Sequence, residues 1–407
     1  MTDPKAAATS GFPPEPKGAA PTGLRSDEGA TREGGASRAP GGEGDSTAAE
    51  TTARSAEKYR VTRSRQNVAW TGLGALVIVV VLALFPYLVG AGSETILVQA
   101  FIILTLASMW NLLAGYAGLV SVGQQAFVGL GAYFVLFLNI HSLSMFTALP
   151  IAAVGCGVAA LPLWWLVSRL RSGYFAIATW VLATTVLLII EKFPSLGSGT
   201  GLSLPHTPSL STAVLEAYTY WIGLAVTVLA LLAVYLLLRS RLGLVLTAIR
   251  DDEVAARSSG ARVGLARMLV FVVAGIGCGA AGALLAVSQL IVQPSAVFSV
   301  QWTAEMAFVV IIGGLGTIEG PILGTIVYMV LQQTLASYNV WYLIILGLVA
   351  MVIAIFARRG LWGLVDEHLH VRLFPVGYWL WDPDSGGRRG ARGSGPGLGR
   401  RSGGRHS

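Results

Sequence analysis

The charged residues that could do chemistry in this sequence are concentrated in one polar segment, residues 239–267. It contains six arginines, and the run R-D-D-E at 250–253 lies near its centre. The apolar stretches on either side, 217–238 and 268–304, contain no Lys, Arg, Asp or Glu. Neighbouring arginines and carboxylates form charge-assisted hydrogen bonds and docking surfaces. Because the segment is longer than a turn requires, we interpret it as a docking element for a cytosolic partner.

The pattern within residues 248–260 predicts one short helix. Acidic residues in a first helical turn complement the positive end of the helix dipole, as Asp251, Asp252 and Glu253 would here. Gly260 is placed as a C-cap. So short a helix is unstable alone in water and needs a docking surface. The alternative is a solvated loop whose arginines only set membrane topology.

Other kinds of chemistry have no sequence support. There is no G-x-x-x-x-G-K-[ST] nucleotide-binding run, and the five histidines are scattered without cysteine partners. Cys156 and Cys278 lie within apolar stretches and form neither a disulfide framework nor a metal site. No Ser/His/Asp arrangement can be argued either. We therefore expect no catalytic residue, no metal and no cofactor bound by this chain, which favours transport over an enzyme.

The composition is that of an integral membrane protein. Hydrophobic residues make up 54% of the 407 residues and charged residues only 12%, against about 25% charged in soluble domains. The formal net charge is +7. A basic balance can indicate nucleic-acid binding, but here the arginines flank apolar stretches, where basic residues mark the cytoplasmic side of a membrane. We therefore expect contact with lipid and none with nucleic acid.

Composition divides the chain into four parts. Residues 1–57 contain almost no large apolar side chain, which predicts a disordered tail. Residues 58–365 form the predicted membrane domain. Residues 366–382 are rich in aromatic residues and predict an interfacial segment. Residues 383–407, rich in Gly and Arg, predict a second, basic, disordered tail.

The apolar stretches predict an all-α, polytopic fold of about ten transmembrane helices, with two glycine-rich regions that are broken or re-entrant. Basic clusters lie at 58–65, 169–171, 239–267 and 358–359. All four fall on one side when the number of spans is even, which places both termini in the cytoplasm. The predicted spans are 68–90, two within 95–140, 145–167, 173–192, 217–238, 268–291, 304–313, 321–337 and 340–357.

The first break lies within 111–133 and combines glycines with uncharged polar residues. Unwound backbone at membrane depth is tolerated where it is buried in protein or lines a cavity. Close helix packing is an equal alternative, because small residues let helices approach in lipid. The candidates for a solute path here are Asn111, Gly115, Gly118, Ser121, Gly123 and Gln124.

The second break, within 313–324, has the same character. Glu319 is expected to be solvated or interfacial, since the turn faces the cytosol. Glu305 opens an apolar run near the outside face, and an ionisable group in or near a span is a further path candidate; the alternative is that it complements a helix dipole. The glycines predicted to form the turn are Gly313, Gly314, Gly316 and Gly320.

Four motifs in this order resemble one family. They are N-L-L-A-G-Y-A-G-L-V-S-V-G-Q-Q-A-F-V-G-L-G-A-Y, G-Y-F-A-I-A-T, A-I-R-D-D-E-V-A-A-R-S-S-G and I-G-G-L-G-T-I-E-G-P-I-L-G. Together they resemble the permease subunits of branched-chain amino acid ABC transporters, of the LivM type. The resemblance covers roughly residues 68–365, and both tails fall outside it.

The resemblance implies partners and residue roles. It implies a second, LivH-like permease subunit, cytoplasmic ATP-binding subunits that use the ATP, and an extracytoplasmic solute-binding protein, all at the cytoplasmic membrane of a prokaryote. The expected activity is uptake of branched-chain amino acids by alternating access. A urea or short-amide permease is an alternative, and an ion-coupled carrier or channel is a more distant one. The ATPase-coupling residues implied are Arg250, Asp251, Asp252, Glu253, Ala255 and Gly260.

Overall fold

A computed structural model describes residues 60–62, 65–88, 93–170, 173–208, 211–335, 340–357, 360–369, 379–381 and 388–390. Contacts divide the chain into two units, Met1–Arg60 and Val61–Ser407. Of the first unit only Arg60 is described, so the predicted tail 1–57 lies outside the described residues. Of the interfacial segment 366–382 and the tail 383–407, only short pieces are described.

The described chain is almost entirely helical. Two single turns interrupt the helices, a π-helical turn at Leu112–Tyr116 and a 3-10 turn at Pro194–Leu196. The elements in chain order are β1 Arg60–Thr62, α1 Arg65–Leu88, α2 Ser93–Asn111, α3 Gln125–Ile140, α4 Met145–Val167, α5 Gly173–Glu191, β2 Leu202–Ser203, α6 Thr212–Arg239, α7 Arg241–Asp251, α8 Glu253–Ser258, α9 Val263–Gln289, β3 Ile291–Val292, α10 Pro294–Val297, α11 Val300–Gly313, α12 Glu319–Leu335, α13 Val340–Phe356, α14 Gly360–Leu369, β4 Trp379–Trp381 and β5 Arg388–Gly390.

The all-α, polytopic membrane fold is confirmed. Within the described ranges, seven helical stretches are long and apolar enough to cross a membrane, the last of them running from α13 into α14. The apolar parts of α1 and α3 are shorter, and α12 has 17 residues. The strands are short; β2 pairs antiparallel with β3, and β4 with β5.

Helices α2 and α9 form the centre of the bundle, and most of their membrane-length windows are buried inside the protein. Helix α9 packs against α2, α3, α4 and α6, while α2 also contacts α11 and α12. Glycines make the closest crossing possible: a side-chain carbon at Gly282 would collide with the Val128 carbonyl, and one at Gly131 with the Gly279 carbonyl. Small residues at such crossings are typical of helix packing in lipid.

The predicted boundaries of one span were wrong. The sequence suggested a short span at 304–313 after an outer loop, but the apolar helical stretch runs from Pro294 to Gly313. Helix α10 begins with Pro294 in its first turn, where a missing N–H costs nothing. The Ser299 side chain then caps α11 by accepting from Gln301 N at 3.2 Å. The start of each of these helices is therefore marked by its N-terminal residues, Pro294 and Ser299, and a hydropathy pattern does not detect such capping residues.

Candidate functional site

The first predicted break is a real interruption between α2 and α3. Helix α2 passes into the π-helical turn, and residues 117–124 then run without regular helix to the start of α3. Gly118 has φ +66°, a left-handed conformation that favours glycine. Single π-helical turns often occur at functional sites because they displace side chains from the regular helical ladder.

Polar side chains support the backbone of this break. Trp110 Nε1 donates to the Ser121 carbonyl at 2.9 Å, and Thr179 Oγ1 on α5 accepts from Val122 N at 3.2 Å. Ser121 Oγ accepts from both Gly123 N and Gln124 Nε2 at 3.3 Å. These bonds replace part of the missing helical ladder, as buried backbone in a membrane requires.

The second break is a loop of five residues between α11 and α12. Gly314 and Gly316 have φ +134° and +77°, conformations strained for any other residue. Thr317 Oγ1 accepts from Gly320 N at 3.0 Å and donates to the Gly314 carbonyl at 2.9 Å. The expectation that Glu319 is solvated was wrong: its side chain is only 7% exposed, because α12 begins inside the protein next to the first break.

Asn111 joins the two breaks. It is the last residue of α2 and is buried. Its Nδ2 donates to the Thr317 carbonyl at 2.7 Å, and its Oδ1 accepts from Gly316 N at 2.8 Å. Gly115 lies so close to Gly316 that a side-chain carbon on it would come within 2.7 Å of Gly316 N. One asparagine and two glycines thus hold the interruptions of distant segments together.

Arg250 reaches the same junction from the polar segment. It lies in the last turn of α7, and a side-chain carbon on Gly316 would collide with its guanidinium group. Its charge also acts on the Tyr116 hydroxyl, as does the charge of Glu319. Arg250 was predicted to act in docking; the structure additionally places it between the polar segment and both breaks.

The prediction of one helix over 248–260 was wrong, since the chain forms two helices with a bend at Asp252. The Asp252 backbone is extended (φ −155°, ψ 110°), and its Oδ1 accepts from Val254 N at 2.8 Å and Ala255 N at 3.1 Å. A strong N-cap residue therefore ends α7 and starts α8. Gly260, at φ +84°, follows α8 as expected of a residue that ends a helix.

Helix α8 is anchored on one side and exposed on the other. Ala256 is buried, and Glu253 forms ion pairs with Arg257 at 2.6 Å and Arg267 at 3.0 Å. Partial burial opposes ionisation of Glu253, but the hydrogen bonds and charges of these two arginines outweigh it and lower its pKa. Val254 is 74% exposed, and Asp251, Asp252 and Ala255 are exposed beside it. The exposed face therefore combines acids with an apolar side chain.

Glu305 is buried in α11. Gln301 Nε2 donates to its Oε1 at 2.7 Å, and Tyr328 of α12 also interacts with its carboxyl group. Near its start, α11 contacts the first residue of α3: Thr303 Oγ1 donates to Gln125 Oε1. The predicted path residues thus fall into three groups: Asn111 and Gly115 against Gly316 of the second break, Gly118 to Gln124 within the first break, and Glu305 on α11.

Sequence reasoning missed several residues that complete these groups. Thr179 supports Val122 from a different helix, and Arg267 anchors Glu253 from α9. Cys278 donates to Gln124 Oε1 at 3.4 Å. Only Arg267 carried a signal, as one of the six arginines; the polar side chains gain their roles from tertiary contacts that one sequence does not encode locally.

Comparisons with known proteins identify the family. The sequence profile described as "Branched-chain amino acid transport system / permease component" matches residues 92–355. The LivM permease protein of the high-affinity branched-chain amino acid transport system of Escherichia coli is 28% identical over 325 residues, 73% of this chain and 76% of the relative. Its Salmonella typhimurium counterpart is 26% identical over 324 residues, with the same two coverages.

A probable LivM protein of Methanocaldococcus jannaschii is 25% identical over 179 residues, 43% of this chain and 52% of that protein. No solved structure matches. The family match extends from the start of α2 to the end of α13 and includes both breaks and the polar segment. This chain therefore belongs to the family of branched-chain amino acid transport system permease components, of the LivM type.

Proposed function

We propose that this chain is one of two permease subunits of an ATP-driven importer of branched-chain amino acids, and that it works by alternating access. Separate cytoplasmic subunits bind and hydrolyse the ATP. A LivH-like permease completes the passage, and an extracytoplasmic solute-binding protein delivers the amino acid. The protein lies in the cytoplasmic membrane of a prokaryote with both termini inside. The supporting observation is the contact of Arg250, on α7, with the junction of the two helix breaks.

The exposed face of α8 suits docking on an ATPase. A helix of six residues is not stable alone, yet Ala256 and the Glu253–Arg267 ion pair hold it on α9. Val254 is left exposed where a groove on a partner could receive it. The coupling residues on this proposal are Arg250, Asp251, Asp252, Glu253 and Ala255, with Gly260 ending the helix.

Motion would pass from α8 through α7 to the breaks. Only Asp252 separates the two helices, and it caps α8 through its own side chain. Arg250 lies two residues before this bend and touches Gly316. A shift of α8 on an ATPase would therefore move the residue that lies against both interruptions, and left-handed glycines there can change conformation at low cost.

Urea transport and ion-coupled transport are less well supported. The three curated relatives are all branched-chain amino acid permeases by name. Within the described spans, buried acids are few and Glu305 is held by Gln301 rather than placed in a chain of ionisable groups. A proton or ion relay would need several such groups along one path.

The test replaces the exposed valine of α8. Val254→Asp puts an unpaired charge on the docking face, whereas Val254→Leu keeps it apolar and serves as the matched control. An acid in the first turn suits the helix dipole, so α8 itself stays folded. Burying the charge against a partner costs well over ~1.4 kcal/mol, the free energy that corresponds to a tenfold loss of affinity.

We expect Val254→Asp to lose co-purification with the ATP-binding subunits and to reduce ATP-linked leucine uptake at least about tenfold. Val254→Leu should retain both. Membrane insertion and yield should be equal for the two variants. Normal uptake by the aspartate variant would refute the docking role of α8, and leucine flux through the isolated subunit without ATP would refute the importer.

A further inference from the structure

A cavity with a mixed polar and apolar lining lies at the end of the bundle opposite the polar segment. Helix α6 begins at this cavity and ends at the polar segment, and α9 runs back from the segment to the cavity. The cavity has a volume of about 450 Å³, within the range of roughly 300–1,000 Å³ that is usual for small-molecule sites. On the topology proposed above, this end faces outward.

Two acids and a set of uncharged side chains line the cavity. Glu94 projects from the first turn of α2 and Glu216 from the second turn of α6. Among the described residues, no Lys or Arg lines the cavity. The polar lining also includes Gln99 and Thr219. The apolar wall is formed by Val98, Ile102, Leu215, Leu285 and Trp302.

Glu94 distinguishes this cavity from a patch of surface acids. Its side chain is only 7% exposed, and its Oε2 atom is buried without a hydrogen-bond partner among the described residues. The phenol of Tyr220 is close enough to interact electrostatically with Glu94, but it donates to the Leu82 carbonyl at 2.7 Å. A buried acidic oxygen without a partner is costly, so the site is suited to a ligand that supplies a strong donor.

We infer that this cavity is an outer binding site for a small zwitterion, with the Glu94 carboxyl group receiving its ammonium group and the apolar wall receiving a branched aliphatic side chain. An ammonium group offers up to three donors, and its bonds to carboxylates are among the strong hydrogen bonds of proteins. The inference rests on the proposed function and adds a residue-level subsite for its substrate.

The surroundings match the other parts of such a ligand. Helix α6 also begins at the cavity, and its first turn contains no acid, so its positive dipole end can favour the ligand's carboxylate. A neighbouring cavity shares Gln99 and Trp302 and extends to Glu305. Polar groups therefore continue from Glu94 inward to α11, which then contacts α3 through Thr303 and Gln125.

The experiment measures binding to the purified full-length permease in lipid nanodiscs, without nucleotide. Four probes separate the chemical parts of the ligand: leucine, 3-methylbutylamine, which lacks the carboxylate, isovalerate, which lacks the ammonium group, and urea. The fluorescence of the tryptophans, one of which lines the cavity, reports binding, and equilibrium dialysis checks it. The variants are Glu94→Gln and Glu94→Asp, with Glu191→Gln as a control acid at the end of α5, outside the cavity.

We expect leucine and the amine to bind and Glu94→Gln to weaken both by about tenfold or more, the usual effect of losing a charged hydrogen bond. Glu94→Asp should weaken them less, and Glu191→Gln should change nothing. Isovalerate and urea should bind to the wild-type protein no better than they bind to the Glu94→Gln variant. No binding of the amine by the wild-type protein, equal binding by Glu94→Gln, or preference for isovalerate or urea would each overturn the inference.

The measurements distinguish a failure of the outer binding site from a failure of the proposed importer function. If Glu94→Gln binds leucine normally while ATP-linked uptake by the wild-type complex is intact, the outer site is wrong and the importer stands. If the amine binds through Glu94 but the complex shows no ATP-linked leucine uptake, the proposed function is wrong and the site remains. A loss of yield in both Glu94 variants alike, with binding per folded molecule unchanged, would also count against the site.

Discussion

Removing the Asn111 side chain should uncouple the two helix breaks. In Asn111→Ala, the Gly316 N–H and the Thr317 carbonyl both lose their partner. Each hydrogen bond contributes about 1 kcal/mol net, and leaving a buried polar group unpaired adds about 1–3 kcal/mol. Because interhelical bonds in membranes average only about 0.6 kcal/mol, we expect a total loss of about 2–3 kcal/mol.

A near-isosteric variant separates shape from hydrogen bonding. Asn111→Asp keeps an oxygen to accept from Gly316 N, but it replaces the Nδ2 donor by a second oxygen facing the Thr317 carbonyl at 2.7 Å in the wild-type geometry. Two acceptors at that distance repel. Asn111→Asp should therefore be at least as damaging as the alanine variant, although it preserves the volume of the side chain.

Asn139 provides the matched control because it is also a buried asparagine that ties a helix to a distant loop. Its Nδ2 donates to the Leu143 and His206 carbonyls and its Oδ1 accepts from His206 N, each at 3.0 Å. Asn139→Ala should lower the melting temperature at least as much as Asn111→Ala, by about 2–4 °C per kcal/mol, without touching either break.

The assay pairs thermal unfolding with ATP-linked leucine uptake, normalised to folded complex, at a temperature where all variants remain folded. We expect the Asn111 variants to lose most uptake per molecule and Asn139→Ala to retain it. Equal uptake losses in the Asn111 variants and in Asn139→Ala would mean that the assay reports only the loss of stability and not the joining of the two breaks. A melting temperature for Asn111→Ala within about 1 °C of wild type would refute the bridge itself, since about 2 °C follows from even 1 kcal/mol.

Two further predictions concern helix packing and the anchor of α8. Gly282→Ala should destabilise the protein by about 1–3 kcal/mol, because its added carbon would collide with the Val128 carbonyl. The control is Gly264→Ala in the same helix, whose added carbon meets open space and should leave the melting temperature unchanged or raise it. Equal effects of the two substitutions would contradict the α3–α9 crossing. Since Arg267 and Arg257 lower the pKa of Glu253, the anchor should be intact above the ordinary carboxyl pKa of about 4.3 and be lost as pH falls through the lowered value. A spin label on a Val254→Cys variant should become mobile only under that acid condition, and adding Glu253→Gln should make it mobile at every pH; a label insensitive to both would refute the anchor.

Much of the architecture follows from the order of apolar residues, because only α-helices and closed barrels satisfy the backbone inside lipid. The breaks were predictable for the same reason: clustered glycines with neutral polar residues interrupt otherwise continuous apolar stretches. The bend at Asp252 was not predicted, although its cause is local. An aspartate can serve either as a first-turn acid or as an N-cap, and only the extended backbone distinguishes the two.

The residues that complete the site could not be read from the sequence for a different reason. Glu319 was expected to be solvated or interfacial because its turn faces the cytosol on the basic-residue map, yet it is buried where α12 contacts α2. Asn111 was chosen for its polarity, but its partners lie more than two hundred residues away. Such pairings depend on which helices pack together. The local pattern of a single sequence predicts each helix but not its neighbours in the fold.

The geometry around Gly316 limits how the polar segment and the breaks can move. Gly316 packs against Gly115 and against the Arg250 guanidinium group, and its N–H donates to Asn111 Oδ1. A side-chain carbon at this position would collide with the Arg250 guanidinium group and crowd the Gly115 carbonyl, and the left-handed backbone here also favours glycine. If α7 moves Arg250, as the proposed coupling requires, the loop at Gly316 should move together with the first break only while the Asn111 bonds join them, and uptake by the Asn111 variants tests this expectation.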